Sequence, residues 1–147
     1  MRGWLLLGMT ALATAAAAAP AMRSLGKGPH SGVTQPGQRV IRTAEAWQKL
    51  WDEHTANVQP KPPLPAVDFN KEMVLAVFMG QRPTLGYATD VTAVTREKKG
   101  LRVTVRESSP PPGALTGQLV TSPYAFVAVP RSDGPVKFVV IGGDRSR

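Results

Sequence analysis

The chain has 147 residues, a formal net charge of +8, 14 glycines, 14 prolines and no cysteine. This length suits one domain, and the glycine and proline content favours a loop-rich globular fold over a helical bundle. The lack of cysteine excludes disulfides, thiolate catalysis and cysteine metal sites, and only two histidines are present, so we expect neither a metal nor a cofactor.

The amino terminus has the layout of a cleavable secretory signal. One positive side chain precedes an apolar stretch, residues 4–19, that is shorter and less apolar than a membrane-spanning helix. We predict a signal peptide over residues 1–21, cut after Ala21; a cut after Ala19 stays open, although it would leave rigid Pro20 beside the scissile bond. The mature protein is then predicted to be secreted or periplasmic, with no transmembrane segment after signal removal.

The segment that follows the signal lacks apolar periodicity. Residues 22–38 are rich in glycine, serine and proline, which predicts a flexible leader. The folded domain is predicted over residues 39–142, opening with a short strand at residues 40–41. Residues 143–147 are predicted to be a frayed tail.

An amphipathic helix is predicted to begin after Thr43, whose side chain can cap it. Trp47, Leu50, Trp51 and His54 recur at three- and four-residue spacing and define one apolar face. A buried tryptophan removes about 200 Å² from water, so we expect the pair to pin the helix to a sheet. His54 is interpreted as a helix C-terminal residue favoured by the helix dipole, not as a catalytic base.

The rest of the chain is predicted to be strands and proline-rich connections. Four prolines within residues 57–65 exclude a helix and predict an extended strap. Seven consecutive apolar residues, 73–79, predict a strand that is covered on both faces at the centre of the sheet. Further strands are predicted at residues 87–96 and 101–106, forming a hairpin that turns at Gly100, and at residues 124–129 and 136–141.

Together these elements predict an α+β fold with one amphipathic helix packed on a mainly antiparallel β-sheet. The residues expected to form its structural core are Trp47, Leu50, Trp51, Phe69 and Tyr87.

No catalytic constellation is recognisable in the sequence. His30 lies in the predicted leader, and Asp68 stands beside a strand start, where a carboxylate usually caps a turn. The chain has no Gly-x-Ser-x-Gly turn, no His-Glu-x-x-His helix and no phosphate-binding glycine loop. We therefore expect no enzymatic activity.

Several short motifs carry a family resemblance through their order. They are Trp47-x-x-Leu50-Trp51, Val67-Asp68-Phe69, Gly80-x-x-x-Thr84-x-Gly86-Tyr87 and Thr121-Ser122-Pro123-Tyr124. Over roughly residues 39–130 the chain resembles the PrcB C-terminal domain family. The resemblance implies an exported, noncatalytic α+β domain, named for a subunit that stabilises a secreted subtilisin-like protease in a surface complex. The chain departs from the family in having Leu85 where a second glycine is frequent, and no cysteine for the lipid anchor of the namesake type.

Two proline-stiffened loops are the predicted binding segments. Because the helix and strands use most large apolar residues, these loops are left as exposed segments with a low ordering cost. The candidate partner-binding residues are Arg82, Thr84, Leu85, Gly86, Ser109, Pro110, Pro111 and Pro112. The alternatives are a structured turn in which the Tyr87 ring packs on the sheet, and a plain proline spacer.

The leading functional hypothesis is an accessory domain that binds a protein, and the resemblance implies a secreted protease as that protein. We expect no nucleic-acid partner, and the oligomeric state is left open. One alternative is a peptidase inhibitor, since residues 83–87 also resemble the Pro-Thr-Thr-Gly-Tyr loop of chagasin-type inhibitors; the predicted helix argues against their all-β fold. Another is a basic polyanion-binding envelope protein, which needs a stripe of the exposed cations Arg96, Lys98, Lys99, Arg102 and Arg106.

Overall fold

The computed structural model describes residues 19–143, which form one helix and seven strands. The strands are β1 Arg23–Gly28, β2 Gly37–Ile41, β3 Glu72–Phe78, β4 Ala88–Arg96, β5 Leu101–Ser108, β6 Tyr124–Pro130 and β7 Val136–Gly142, and the helix α1 spans Ala44–His54. The predicted signal peptide, except for its last residues, and the predicted frayed tail, except for Gly143, lie outside the described residues. Within that range no helix is long and apolar enough to span a membrane.

The strands form two sheets that pack face to face. The larger sheet has the order β1-β6-β3-β2 with every neighbouring pair antiparallel. The smaller sheet has the order β4-β5-β7, in which β4 is antiparallel and β7 parallel to β5. The predicted α+β class with one helix and mostly antiparallel strands is confirmed. The prediction of a single sheet was wrong, because β4, β5 and β7 pair with one another in a second sheet and do not extend the first.

β3 lies inside the larger sheet and is buried on both faces, as its unbroken apolar run predicts. Met73, Leu75 and Val77 point toward the smaller sheet and join its inward-facing valines and leucine in one core cluster. The alternating residues Val74, Ala76 and Phe78 point the other way and form a second cluster with the helix. This strand therefore separates two cores and fixes the helix on one side and the smaller sheet on the other.

The helix begins where the capping pattern predicts. The Thr43 side-chain oxygen accepts a hydrogen bond from the Ala46 backbone N–H at 3.2 Å. Trp47, Leu50 and Trp51 are all buried against the larger sheet. The helix is thus fixed by its apolar stripe, which explains why the three- and four-residue spacing located it correctly.

The proline-rich strap after the helix is tied down by the two tryptophans. The Trp47 indole N–H donates to the Pro65 carbonyl at 3.0 Å, and the Trp51 indole N–H donates to the Pro62 carbonyl at 2.9 Å. Each buried indole donor therefore has an acceptor, and each bond holds a segment that has no strand or helix partner.

The structure differs from the prediction of a flexible leader. Within residues 22–38, β1 pairs with β6 over its full length, and β2 begins at Gly37 and pairs with β3. Backbone hydrogen bonds, not side-chain burial, hold β1, since most of its side chains are exposed. Gly26, at a φ of 147°, sits at a register irregularity beside the Tyr124 ring. A strand held in this way leaves no apolar period in the sequence.

Candidate functional site

The two predicted binding loops meet at one end of the sandwich. The first loop, residues 80–87, follows the central strand β3, and the second loop, residues 109–123, joins β5 to β6. Arg82 and Thr121 exchange two backbone hydrogen bonds of 2.7 and 2.9 Å, and the Leu85 N–H donates to the Gly117 carbonyl at 3.0 Å. The two loops therefore form one surface, which we call the paired-loop surface.

Two glycines allow the close approach of these loops. Gly86 has a φ of 96°, and a Cβ at this position would lie 3.0 Å from the Pro110 Cβ. A Cβ at Gly117 would lie 2.7 Å from the Leu85 side chain. The buried Thr121 hydroxyl adds a bond to the Thr84 carbonyl at 3.0 Å. The predicted residues Gly86 and Pro110 are thus brought together by packing between the loops.

The paired-loop surface exposes large apolar side chains. Leu85, a predicted binding residue, is exposed, and so are three residues of the second loop, Leu115, Leu119 and Val120. Leu115 is fully exposed, and the other two are more than half exposed. Large exposed apolar side chains concentrated on one pair of loops are typical of interaction surfaces. The three residues of the second loop were not predicted as binding residues, although large apolar residues in a segment of glycine, proline and threonine were a readable signal.

Three of the predicted binding residues, Ser109, Pro111 and Pro112, begin the second loop, and their accessibility differs. The Ser109 hydroxyl is buried, whereas Pro111 and Pro112 are exposed. The two prolines lie in a turn that is closed by a hydrogen bond of 3.0 Å from the Ala114 N–H to the Pro111 carbonyl. The accessible part of this segment is therefore its proline turn.

Arg82 supports the first loop from within. Its guanidinium lies 5.6 Å from the centre of the Tyr87 ring and donates to the Met79 carbonyl at 3.3 Å. Arg82 and Tyr87 are both partly buried, and the Thr84 hydroxyl is used inside the loop on the Leu85 carbonyl at 2.9 Å. Arg82 and Thr84 therefore use their hydrogen bonds to hold the shape of the loop. Leu85 is the exposed large apolar side chain of the first loop.

The base of this surface contains buried polar atoms without partners. Among residues 19–143, Arg82 Nε, Thr89 Oγ1 and Ser109 Oγ are buried and make no hydrogen bond. Thr89 is the second residue of β4 and pairs with Glu107, two residues before Ser109, so all three atoms belong to the end of the sandwich that carries the loops. Each such atom costs about 1–3 kcal/mol of stability. Among the described residues, the buried side-chain atoms without a partner therefore all lie at this end of the sandwich.

A pocket of about 280 Å³ lies beside the end of the helix and borders the paired loops, because Gln81, Val120 and Ser122 are among its lining residues. His54 lines it and is nearly fully buried, with its Nδ1 atom 2.8 Å from the Ser31 hydroxyl and its ring 4.2 Å from that of Tyr124. Burial lowers the pKa of His54 to about 4, so the imidazole is neutral at pH 7. His54 is the last residue of the helix, as predicted, but burial keeps its imidazole neutral, so a charge–dipole attraction does not explain its position.

The chemistry of this pocket is limited by its lining. His30 and Ser122 also line it, but no carboxylate is among its lining residues. A serine and a histidine are in contact, yet no acid orients the imidazole as a hydrolytic triad requires. Nor do the described residues contain a cluster of three or more potential ligands able to hold a metal ion.

Carboxylates interrupt the basic stripe that the polyanion alternative needs. Glu97 bonds Arg102 at 2.8 Å, and Asp90 lies opposite Arg106 on the neighbouring strand. Asp90 in turn pairs with Lys27 of β1 at 3.1 Å. The face of the hairpin is therefore mixed in charge, which weakens its attraction for a polyanion.

Comparison with known families identifies the segment that carries both loops. Residues 73–130 match the family model described as PrcB C-terminal, and this range contains most of β3, all of β4, β5 and β6, and the paired-loop surface. The resemblance inferred from the motifs is confirmed over this segment, which is narrower than the 39–130 of the motifs. Comparisons with curated proteins and with solved structures gave no match.

Proposed function

We propose that this PrcB C-terminal-like chain is an exported, noncatalytic accessory domain that binds a protein partner through the paired-loop surface. The observation that carries the proposal is the exposure of Leu85, Leu115, Leu119 and Val120 on two loops that hydrogen bonds hold together. Loops with a fixed conformation bind at a low entropic cost, and exposed leucines supply apolar area for a partner to cover.

A noncatalytic role is supported by the side chains that the surface presents. The paired loops offer leucine, valine, proline and threonine, and the ionisable side chains within residues 80–87 and 109–123 of the described chain are Arg82 and Tyr87, which pack on each other. Such a surface can bind by burial of apolar area and includes no carboxylate.

The partner that we propose is a secreted or surface protease. The family match supports this choice, because the family is named for a protease complex subunit, and the signal-like residues 1–21 support export. In this reading the domain stabilises the protease by covering a surface of it, which needs neither a nucleophile nor a metal.

Site-specific photo-crosslinking tests the proposal. A photoreactive amino acid is introduced in place of Leu115, and the protein is exposed to the native secreted fraction; the control carries the same group in place of Leu64, an exposed leucine in the strap. We expect one discrete crosslinked protein from position 115, identified by mass spectrometry as a protease, and none from position 64. Equal crosslinking from both positions would contradict the paired-loop surface, and a crosslinked partner of another class would contradict the protease assignment.

A further inference from the structure

β7 is an open edge of the smaller sheet. β5 pairs with it on one side, and on its other side no strand within residues 19–143 pairs with it. None of its seven residues is buried. The opposite edge strand, β4, is protected differently, because it carries the ion pair between Asp90 and Lys27 of the larger sheet. Unpaired backbone groups along an exposed apolar strand are a template for the addition of another strand.

The side chains of β7 are arranged as if one more strand were missing. Val136 and Phe138 point inward and pack against the core between the sheets. Val140 has the same parity and should also be covered, yet 44% of it is exposed. Ile141, on the outer face, is exposed as well. A strand added beside β7 would extend both faces and cover these two side chains.

On the outer face, the two strands at this edge, β5 and β7, carry the cations Arg102, Arg106 and Lys137, while the neighbouring carboxylates belong to β4 and the turn after it. In the parallel register Lys137 lies directly beside Arg102, and Ile141 lies beside Arg106. Like charges on neighbouring strands repel each other, and only Arg102 of these three cations has an ion-pair partner within residues 19–143. A carboxylate placed beside Lys137 would offset this repulsion.

We propose that β7 is a strand-addition site for an extended acidic segment of a partner protein. The segment would hydrogen bond to the free backbone edge, place alternate carboxylates on the outer face near Lys137, and place apolar side chains over Val140. A second copy of the chain fits less well, because each copy has a formal net charge of +8 and would bring another Lys137 to the same edge. This surface uses residues outside the paired loops and does not depend on the function proposed for them.

Two matched peptides test the charge requirement. One is seven residues long and alternates glutamate and valine, and the other has lysine in place of each glutamate. We expect the full mature chain to bind the glutamate peptide about tenfold more tightly than the lysine peptide in fluorescence anisotropy. Lys137→Glu should reverse this preference, whereas Lys71→Glu, at an exposed lysine in the turn before β3, should leave it unchanged. Equal binding of the two peptides would overturn the proposal.

Amide hydrogen exchange locates the binding without any substitution. On addition of the glutamate peptide, alternate amides of β7 should become protected, because successive N–H groups of a strand point to opposite sides. Protection confined to residues 80–87 or 109–123 would overturn the proposal. A free protein that sediments as a dimer with β7 already protected would also overturn it, in favour of a second copy. Leu115→Asp should leave peptide binding intact, so that failure of one surface is distinguishable from failure of the other.

Discussion

Gly86 packs against the ring of Pro110 at a distance that leaves no room for a side chain. A Cβ on Gly86 would lie 3.0 Å from the Pro110 Cβ, and the backbone there has a φ of 96°, which L side chains rarely adopt. This contact joins two loops that are more than twenty residues apart in the chain. The shape of the paired-loop surface therefore depends on one position that requires glycine for two independent reasons.

Gly86→Ala is expected to destabilise the protein more than Gly113→Ala. Both glycines have a positive φ, but a Cβ at Gly113 would meet nothing within 4 Å. Backbone strain alone costs about 1–2 kcal/mol, and Gly86→Ala adds the collision with Pro110. Urea denaturation of the two variants measures the difference. Equal losses of stability would show that the contact between the loops contributes nothing.

The parts of the fold predicted correctly are those in which side-chain burial sets the local structure. The apolar helix face of Trp47 and Trp51 could be predicted because burial of large apolar side chains is favourable. The same holds for the apolar run of β3. The loops were also identified, because proline and glycine restrict or free the backbone at fixed positions. That the two loops meet was not predictable, since their contact depends on the distance between the ends of β3 and β5 in space.

The parts that were missed depend on backbone pairing. β1 has mostly exposed side chains and a glycine at its irregularity, so its order comes from hydrogen bonds to β6 that no side-chain pattern records. The parallel pairing of β7 with β5 was also missed. The Asp-Gly turn after β6 suggests that the next strand pairs antiparallel with β6, and no side-chain pattern records the pairing with β5. His54 was located correctly on the helix, but its neutral state depends on Tyr124 and Phe126, which lie far away in the sequence.

Thr89→Val is expected to stabilise the protein by about 1 kcal/mol, whereas Thr121→Val should destabilise it. The two threonines are both buried, but Thr89 Oγ1 has no partner within the described residues and Thr121 Oγ1 donates to the Thr84 carbonyl. The same substitution thus removes an unsatisfied hydroxyl in one case and a satisfied one in the other. Thermal unfolding of both variants provides the measurement. A loss of stability in Thr89→Val would contradict the prediction, because it would mean that the Thr89 hydroxyl makes a stabilising hydrogen bond.

His54 is expected to make the protein less stable as the pH falls from about 6.5 to about 4. Burial lowers its pKa in the folded state from 6.5 to about 4, so in this window the unfolded chain binds a proton that the folded chain does not. Above about pH 7.5, one unit over the unfolded pKa of 6.5, the residue is neutral in both states and the effect vanishes. The difference in unfolding free energy between the unsubstituted protein and His54→Gln, followed across this range, isolates the residue from the carboxylates.

Leu115→Asp is expected to abolish capture of the partner while changing the free energy of unfolding by less than about 0.5 kcal/mol. Leu115 is fully exposed, so a carboxylate there costs the free protein nothing, but in a complex it would be buried without a counter-charge. Leu64→Asp in the strap is the matched control and should capture the partner normally. The double variant Thr84→Asp/Leu85→Asp should also lose capture, with a larger effect on stability, because the Leu85 side chain packs on Gly117 and the Thr84 hydroxyl bonds within its loop. Normal capture by Leu115→Asp would move the binding surface away from the second loop, and the basic face around Arg102 and Arg106 would then be the next surface to test.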